Sequence, residues 1–412
     1  MAQKESTFNR INILKKIRCK YILSQIFNNI NQVTKLKIIN YNKSLMNTLG
    51  VKIKDYINAY SNIEIEIIPS EKNPNGRFIY IQNKRTACNY HIYFDDKKVD
   101  LIKKEISPEN DIKKIRVVIN YRIRSLYQLF LNCRCIKKIS FIKFNRNDII
   151  NMKYMFYGCT SLEEVDLSKV NTDRVNSMQC MFYRCSSLKE LNLSNFNTSY
   201  VTDMSYMFDC CSSLEHLNIT NFNTFKVTNM TAMFKQCSSL QELNLSSFNT
   251  NSVLSMNNMF YQCTSLKELN LSNFRNINVN DMNSMFNGCL SLTQLNLSNF
   301  GTNNVTKMSY MFSRCSSLQK LNLYNFNTSN VFTMVGMFDE CKSLKELDLQ
   351  NFKGDKLLVT NFMFNGCSSL KKINIKNIEL NNSGNMSHMF DGCSSLEEIR
   401  ASNYFKRIEK KN

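Results

Sequence analysis

Along most of this 412-residue chain, one arrangement of apolar and polar positions returns every 26 residues. The dipeptide Met-Phe places Phe at 156, 182, 208, 234, 260, 286, 312, 338, 364 and 390. A Cys follows each Phe three residues later, at 159, 185, 211, 237, 263, 289, 315, 341, 367 and 393. A degenerate earlier copy keeps Phe130 and Cys133, again 26 residues before the next. Equal spacing over so many copies identifies a stack of like structural units.

The unit from Cys185 to Cys211 shows the expected elements. Leu188, Leu191 and Leu193 follow an L-x-x-L-x-L rule, and the alternation of Leu191 and Leu193 predicts a short strand. Asn195 to Asn197 predict a turn. Val201, Met204, Met207, Phe208 and Cys211 have the spacing of one helix face, with Thr198 or Ser199 at its cap. One such unit cannot cover its own apolar residues, so neighbours must stack and share them. All three prolines (Pro69, Pro74 and Pro108) precede the repeats, as paired strands and short helices require.

The string CSSLKELNLSNFNTSYVTDMSYMF, residues 185–208, resembles the BspA-type leucine-rich repeat of bacterial and protist proteins, and the likeness extends over roughly residues 126–400. The fold expected is therefore α/β: a leucine-rich-repeat solenoid, with a curved parallel sheet on the concave side and short helices on the convex side. Phe196, Phe222, Phe248, Phe274, Phe300, Phe326 and Phe352 stand where the common leucine-rich repeat has an Asn or Cys turn ladder. The resemblance implies surface adhesion or protein interaction and supplies no catalytic residues.

Three regions are expected. Residues 1–60 form a helical segment, in which Ile17, Tyr21, Ile22, Ile26 and Phe27 keep one face. Its I-x-x-I-F pair, followed by Leu36 and Ile39, loosely resembles an F-box, without the proline that usually opens one. Residues 61–125 form a small β-rich domain, with alternation at 63–68, 77–82, 89–96 and 115–123, that caps the first repeat strand. Residues 126–405 form the solenoid, of about eleven units.

Charge and chemistry change this picture little. The formal net charge is +20, and residues 1–128 hold 24 Lys and Arg against 11 Asp and Glu, so the basic excess sits before the repeats. The Asn, Lys and Ile richness fits a compositional bias of the source, and nucleic acid is not the expected partner. The 16 cysteines lack the paired C-x-x-C spacings of zinc sites, and the ladder position suits a small buried thiol. His91, His216 and His388 share no repeat position, and no P-loop, dinucleotide fingerprint or nucleophile elbow occurs. The Met columns read as core filler. No cofactor, metal or small-molecule substrate is expected.

The concave face is the expected binding surface. Its outward residues in one unit are Glu190, Asn192 and Ser194, and most units repeat that set. Departures gather late, at Lys320, Tyr324, Lys372, Lys376 and Arg400, which are the candidate partner-binding residues. The expected function is a non-catalytic protein-interaction module or scaffold, with a BspA-type surface adhesin and an F-box-like ubiquitin-ligase adaptor as alternatives. No export signal or membrane-spanning stretch is evident in the sequence. N-x-S/T sequons at Asn192, Asn218, Asn244, Asn270 and Asn296 would set glycans inside the binding face. Both points favour a cytoplasmic protein over a surface one if the source is eukaryotic; a bacterial surface protein escapes the glycan argument.

Overall fold

The computed structural model describes residues 20–30, 62–82, 84–99, 104–120, 122–378 and 385–401. Helix α1 is Lys20–Asn29. Leu23 and Phe27 are its buried residues, whereas Tyr21 and Ile22 are exposed. The rest of the expected 1–60 helical segment, including Leu36 and Ile39 of the F-box-like pattern, lies outside the described residues.

Seven strands follow: β1 (Ile63–Pro69), β2 (Gly76–Arg77), β3 (Tyr90–Phe94), β4 (Lys97–Val99), β5 (Glu105–Ile106), β6 (Ile115–Ile119) and β7 (Ile136–Phe144). β2 and β5 pair with each other, and of the stretch expected to alternate at 77–82 only Arg77 is in a strand. The main sheet runs β4-β3-β6-β1-β7-β8, where β8 is Glu164–Asp166. Pairing is antiparallel from β4 to β7 and then changes: β7 pairs antiparallel with β1 and parallel with β8. β7 thus belongs both to the N-terminal sheet and to the repeats, extending that sheet beyond residue 125. Alternation puts Ile63, Ile65, Ile67, Ile92, Val117 and Ile119 into one core, continuous with that of the repeats.

The later repeat strands are β9 (Glu190–Asn192), β10 (His216–Asn218), β11 (Glu268–Asn270), β12 (Gln294–Asn296), β13 (Glu346–Asp348), β14 (Lys372–Ile375) and β15 (Glu398–Ala401). All their pairings are parallel and in register, one coil apart, such as Leu217 with Leu191. Ladder pairing lapses between β8 and β9 and again at Glu242–Asn244 and Lys320–Asn322, so the strand side is a series of short sheets rather than one continuous curve.

The expected convex-side helices are absent: among the described residues of the repeats there is no α-helix. The segment read as a helix is a run of tight turns. Met155 N–H donates to Met152 carbonyl (3.2 Å), Tyr157 N–H to Tyr154 carbonyl (3.2 Å) and Cys159 N–H to Phe156 carbonyl (3.2 Å). Tyr154 (φ 58°) and Gly158 (φ 72°) are left-handed, each in the third position of its turn, as a type II turn demands. Alternate N–H groups point along the stack. Met152, Tyr154, Phe156 and Gly158 donate to carbonyls 25 residues on, at 3.0, 3.0, 2.9 and 2.7 Å. A helix would spend those donors internally; here they tie each coil to the next. A left-handed non-glycine residue costs about 1–2 kcal/mol, and these inter-coil bonds offset it. Parallel bridges between residues 26 apart run without a gap from Ser125 to Asn385, so the continuous ladder lies on the turn side.

Inside, each column of the repeat becomes a ladder. Phe130, Phe156, Phe182, Phe208, Phe234, Phe260, Phe286, Phe312, Phe338, Phe364 and Phe390 stack at centroid distances of 5.2–5.8 Å. The second Phe column, from Phe196 to Phe352, is buried as well. A buried Thr column stitches the turns: Thr198 Oγ1 donates to Asn223 carbonyl (2.9 Å) and accepts from Asn223 N–H (2.8 Å). The asparagines one residue before the second-column Phe also bond to the preceding coil, from exposed or half-buried positions. Asn195 Nδ2 donates to the carbonyls of Leu167 (3.0 Å) and Val170 (3.1 Å), and Asn273 Nδ2 to those of Leu245 (2.9 Å) and Phe248 (2.7 Å).

Candidate protein-binding face

The strand side presents three outward columns, because the middle residue of each strand turns into the core. In β9, Leu191 is buried while Glu190 and Asn192 are exposed. The first column contains Glu164, Glu190, His216, Glu242, Glu268, Gln294, Lys320, Glu346, Lys372 and Glu398; the second runs from Asp166 through the asparagines to Arg400. The asparagines are held by their own turns. Asn192 Oδ1 accepts the Ser194 N–H at 3.0 Å, and Asn244, Asn270 and Asn296 repeat the contact at 3.0, 3.1 and 3.1 Å. That leaves each amide nitrogen as the outward group.

Five successive coils, from Glu190 to Asn296, line an open groove of about 830 Å³. Its charged lining residues are Glu190, Glu215, Glu242 and Glu268, with His216 between them and no Lys or Arg. Lys189 and Lys267 share the column of Glu215, one and two coils from it, but do not line the groove. Sequence reasoning treated this half as uniform and passed over its charge, although the Glu column was legible in the repeat.

All five sequence-derived candidates, Lys320, Tyr324, Lys372, Lys376 and Arg400, are exposed on the same side, and Tyr324 is 71% exposed. Lys320 and Tyr324 occupy one coil; Lys372 and Lys376 lie two coils later, with Arg400 in the next. Several late charges have acidic neighbours. Arg400 Nε is 2.7 Å from Glu398, Lys371 is 3.5 Å from Glu397, and Lys372 lies in register between Glu346 and Glu398. The Arg400 guanidinium holds the Glu398 carboxyl below the usual carboxylate range.

The ladder cysteines sit behind these columns. Cys185 Sγ donates to Phe156 carbonyl (3.2 Å), and Cys211, Cys237, Cys263, Cys289, Cys315, Cys341, Cys367 and Cys393 make the same contact 29 residues back. Burial pushes their pKa values up, to about 12 for Cys289 and Cys341, so the nucleophilic thiolate is disfavoured. His91, His216 and His388 are dispersed, and among the described residues no group of three His, Cys, Asp or Glu is placed to hold a metal ion. No helix among them is long and apolar enough to cross a membrane.

Leucine-rich coils, a Phe spine and a polar strand face define the class: a BspA-type leucine-rich repeat solenoid. Residues 124–217, 204–321 and 290–404 match the family described as "Mycoplasma protein of unknown function, DUF285", and the chain belongs to that family. Comparison with curated proteins finds no match. Among solved structures, a leucine-rich repeat protein from Bacteroides ovatus is 20% identical, with 69% of this chain and 70% of that chain covered and a TM-score of 0.45. A leucine-rich cell surface protein from Faecalibacterium prausnitzii is 16% identical, with 71% and 86% covered and a TM-score of 0.32. An LRR protein from Leptospira interrogans is 14% identical, with 62% and 73% covered and a TM-score of 0.23.

Proposed function

We propose that this chain is a non-catalytic protein-interaction module whose strand face holds a protein partner. The observation that supports this most directly is the division of labour in each coil. Apolar and ladder-forming side chains are consumed in stacking, while the three strand-side columns remain solvent-facing along an open groove. Solenoids use such extended surfaces for recognition. We assign Lys320, Tyr324, Lys372, Lys376 and Arg400 to the late part of this contact, since they break the repeat where the scaffold does not require it.

The experiment is capture of the partner from the native cell with the full chain, followed by variants. Tyr324→Ala combined with Lys372→Glu abolishes capture without lowering the melting temperature. Changes at Asn192 and Ser194 leave the late contact in place. Capture that survives the late changes removes those residues from the site.

We further read the protein as reduced and unglycosylated, which fits a cytoplasmic chain. The sequon asparagines stand on adjacent strands about 4.8 Å apart, where a glycan on each has no room. Intact-mass measurement and thiol counting on protein from its native cell test this. Sugar at those asparagines, or ladder cysteines in disulfides, replaces it with the surface-adhesin reading.

A further inference from the structure

The two halves of the strand face differ in a way that selects a partner. In the late half, some basic side chains are matched at home by carboxylates: Arg400 by Glu398, two residues before it in the same strand, and Lys371 by Glu397 on the next coil. The first coils are matched likewise: Lys138 is 2.6 Å from Glu164, and Glu163 is within reach of Lys72 (3.5 Å) and Lys137 (3.9 Å). The groove between them is different. Glu190, Glu215, Glu242 and Glu268 line it, and among the described residues none of the four has an ion pair. A chain of net charge +20 therefore has, on its exposed sheet face, a groove of unmatched negative charge.

We infer that this groove seats an extended, basic peptide segment of a protein partner; the inference rests on the strand face being the binding surface. Charge complementarity selects the sign, since Lys or Arg side chains supply the countercharge the groove lacks. The geometry selects the form. The groove crosses five coils, and its floor is a set of strand residues rather than a deep pocket, so an extended chain lies along it better than a bulky ligand. The coil spacing selects the register. Glu190 and Glu242 are two coils apart, roughly 9.6 Å at about 4.8 Å per strand. A polyproline II segment advances about 9.3 Å in three residues and returns to the same face. Basic residues three apart thus meet Glu190 and Glu242 together. The Asn192, Asn218 and Asn244 amide nitrogens lie beside that path as donors for the peptide carbonyls.

The test uses the full chain and three synthetic probes. One is proline-rich with lysine at every third residue, one has the same composition with the lysines adjacent, and one has glutamate in place of lysine. Calorimetry should find binding of the spaced-lysine probe, weakening as salt rises, and weaker binding of the adjacent-lysine probe. Glu190→Gln with Glu242→Gln should reduce affinity by about tenfold or more. Lys353→Gln with Lys356→Gln, exposed lysines outside the strand columns, should leave it unchanged. Thermal melts identify any variant that fails to fold, and Glu268→Gln then serves in its place. Unchanged affinity in the glutamate variants, no binding of the spaced-lysine probe, or preference for the glutamate probe overturns the inference. If the native partner is still lost on changing Tyr324 and Lys372 while the lysine probe does not bind, this inference fails and the interaction reading stands. If no strand-face change affects either ligand, the interaction reading fails.

Discussion

Asn276 interrupts the buried Thr ladder between Thr250 and Thr302, and it makes a quantitative prediction. In that column Thr172, Thr198, Thr224, Thr250, Thr302 and Thr328 are buried hydroxyls. Asn276 occupies the same slot, fully buried, with neither side-chain atom hydrogen-bonded. Its φ is 49°, and its N–H reaches Thr250 Oγ1 at 3.2 Å, a bond that the preceding residue makes in regular coils. The shift carries the Arg275 carbonyl toward the next coil, where a Cβ at Gly301 would overlap its oxygen. Gly301 stands where other coils have Asn197, Asn223, Asn249 or Asn327. The two departures thus form one coupled unit: a displaced turn and the glycine that makes room for it.

Gly301→Asn alone should destabilise by about 1–3 kcal/mol, the usual effect of overpacking. Asn276→Thr alone should be near neutral. It removes a buried amide without partners, worth about 1–3 kcal/mol, but puts a β-branched residue where the backbone is left-handed, at a cost of about 1–3 kcal/mol unless the turn resets. Together they restore the regular coil, in which the introduced threonine hydroxyl would bond the backbone of residue 301. The double variant should therefore be at least as stable as the parent, with a coupling energy of about 1.5–3 kcal/mol. Urea unfolding of the four proteins, with hydrogen exchange at coils 250–330, measures it. Additivity within about 0.5 kcal/mol would refute the coupling of Asn276 to Gly301.

Phe260 is fully buried and lies 5.6 Å from both Phe234 and Phe286, so Phe260→Ala should cost about 3–5 kcal/mol and split the solenoid into two transitions; a single transition at the parent temperature refutes it. Phe390→Ala, half-buried with its stacked neighbour Phe364 on one side, should cost clearly less in the same melt. The ladder thiols have folded pKa values above the unfolded value of 9.0, reaching about 12 at Cys289 and Cys341. Unfolding therefore releases protons, and their contribution is complete below pH 9 and lost as pH rises toward 12, by up to about 1.4 kcal/mol per thiol per pH unit. A urea midpoint that stays level from pH 8 to 11 under reductant contradicts this. In the folded protein a thiol reagent should label exposed Cys88 before any buried ladder cysteine, and equal rates by mass spectrometry would show the ladder open to solvent.

The repeat length, the buried columns and the outward strand columns were legible because they depend only on which residues recur at 26. The turn run was not, because helices and tight turns both bring residues three apart to one side. Met204, Met207 and Cys211 satisfy either reading; what separates them is backbone handedness. That signal was present but diluted. Gly158, Gly288, Gly366 and Gly392 all fall just before the ladder Cys, in a left-handed column where Arg184, Cys210, Gln236 and Glu340 also stand. Four glycines in one column say that the chain reverses hand there; the side chains beside them say that inter-coil bonds hold that conformation. The cross-coil bonds of Asn195 were passed over for a similar reason, since Asn195 and Phe196 are adjacent and the larger residue drew the comparison with the common repeat. The electrostatic split of the strand face follows from the same stacking. A carboxylate meets the residue 26 positions away as well as its chain neighbours: Glu398 faces Lys372 across the coil and pairs with Arg400 beside it, whereas Glu242 stands between His216 and Glu268. In a solenoid the sequence has to be read down its columns before its charges mean anything, and there the acidic groove is the feature that the scaffold itself leaves unmatched.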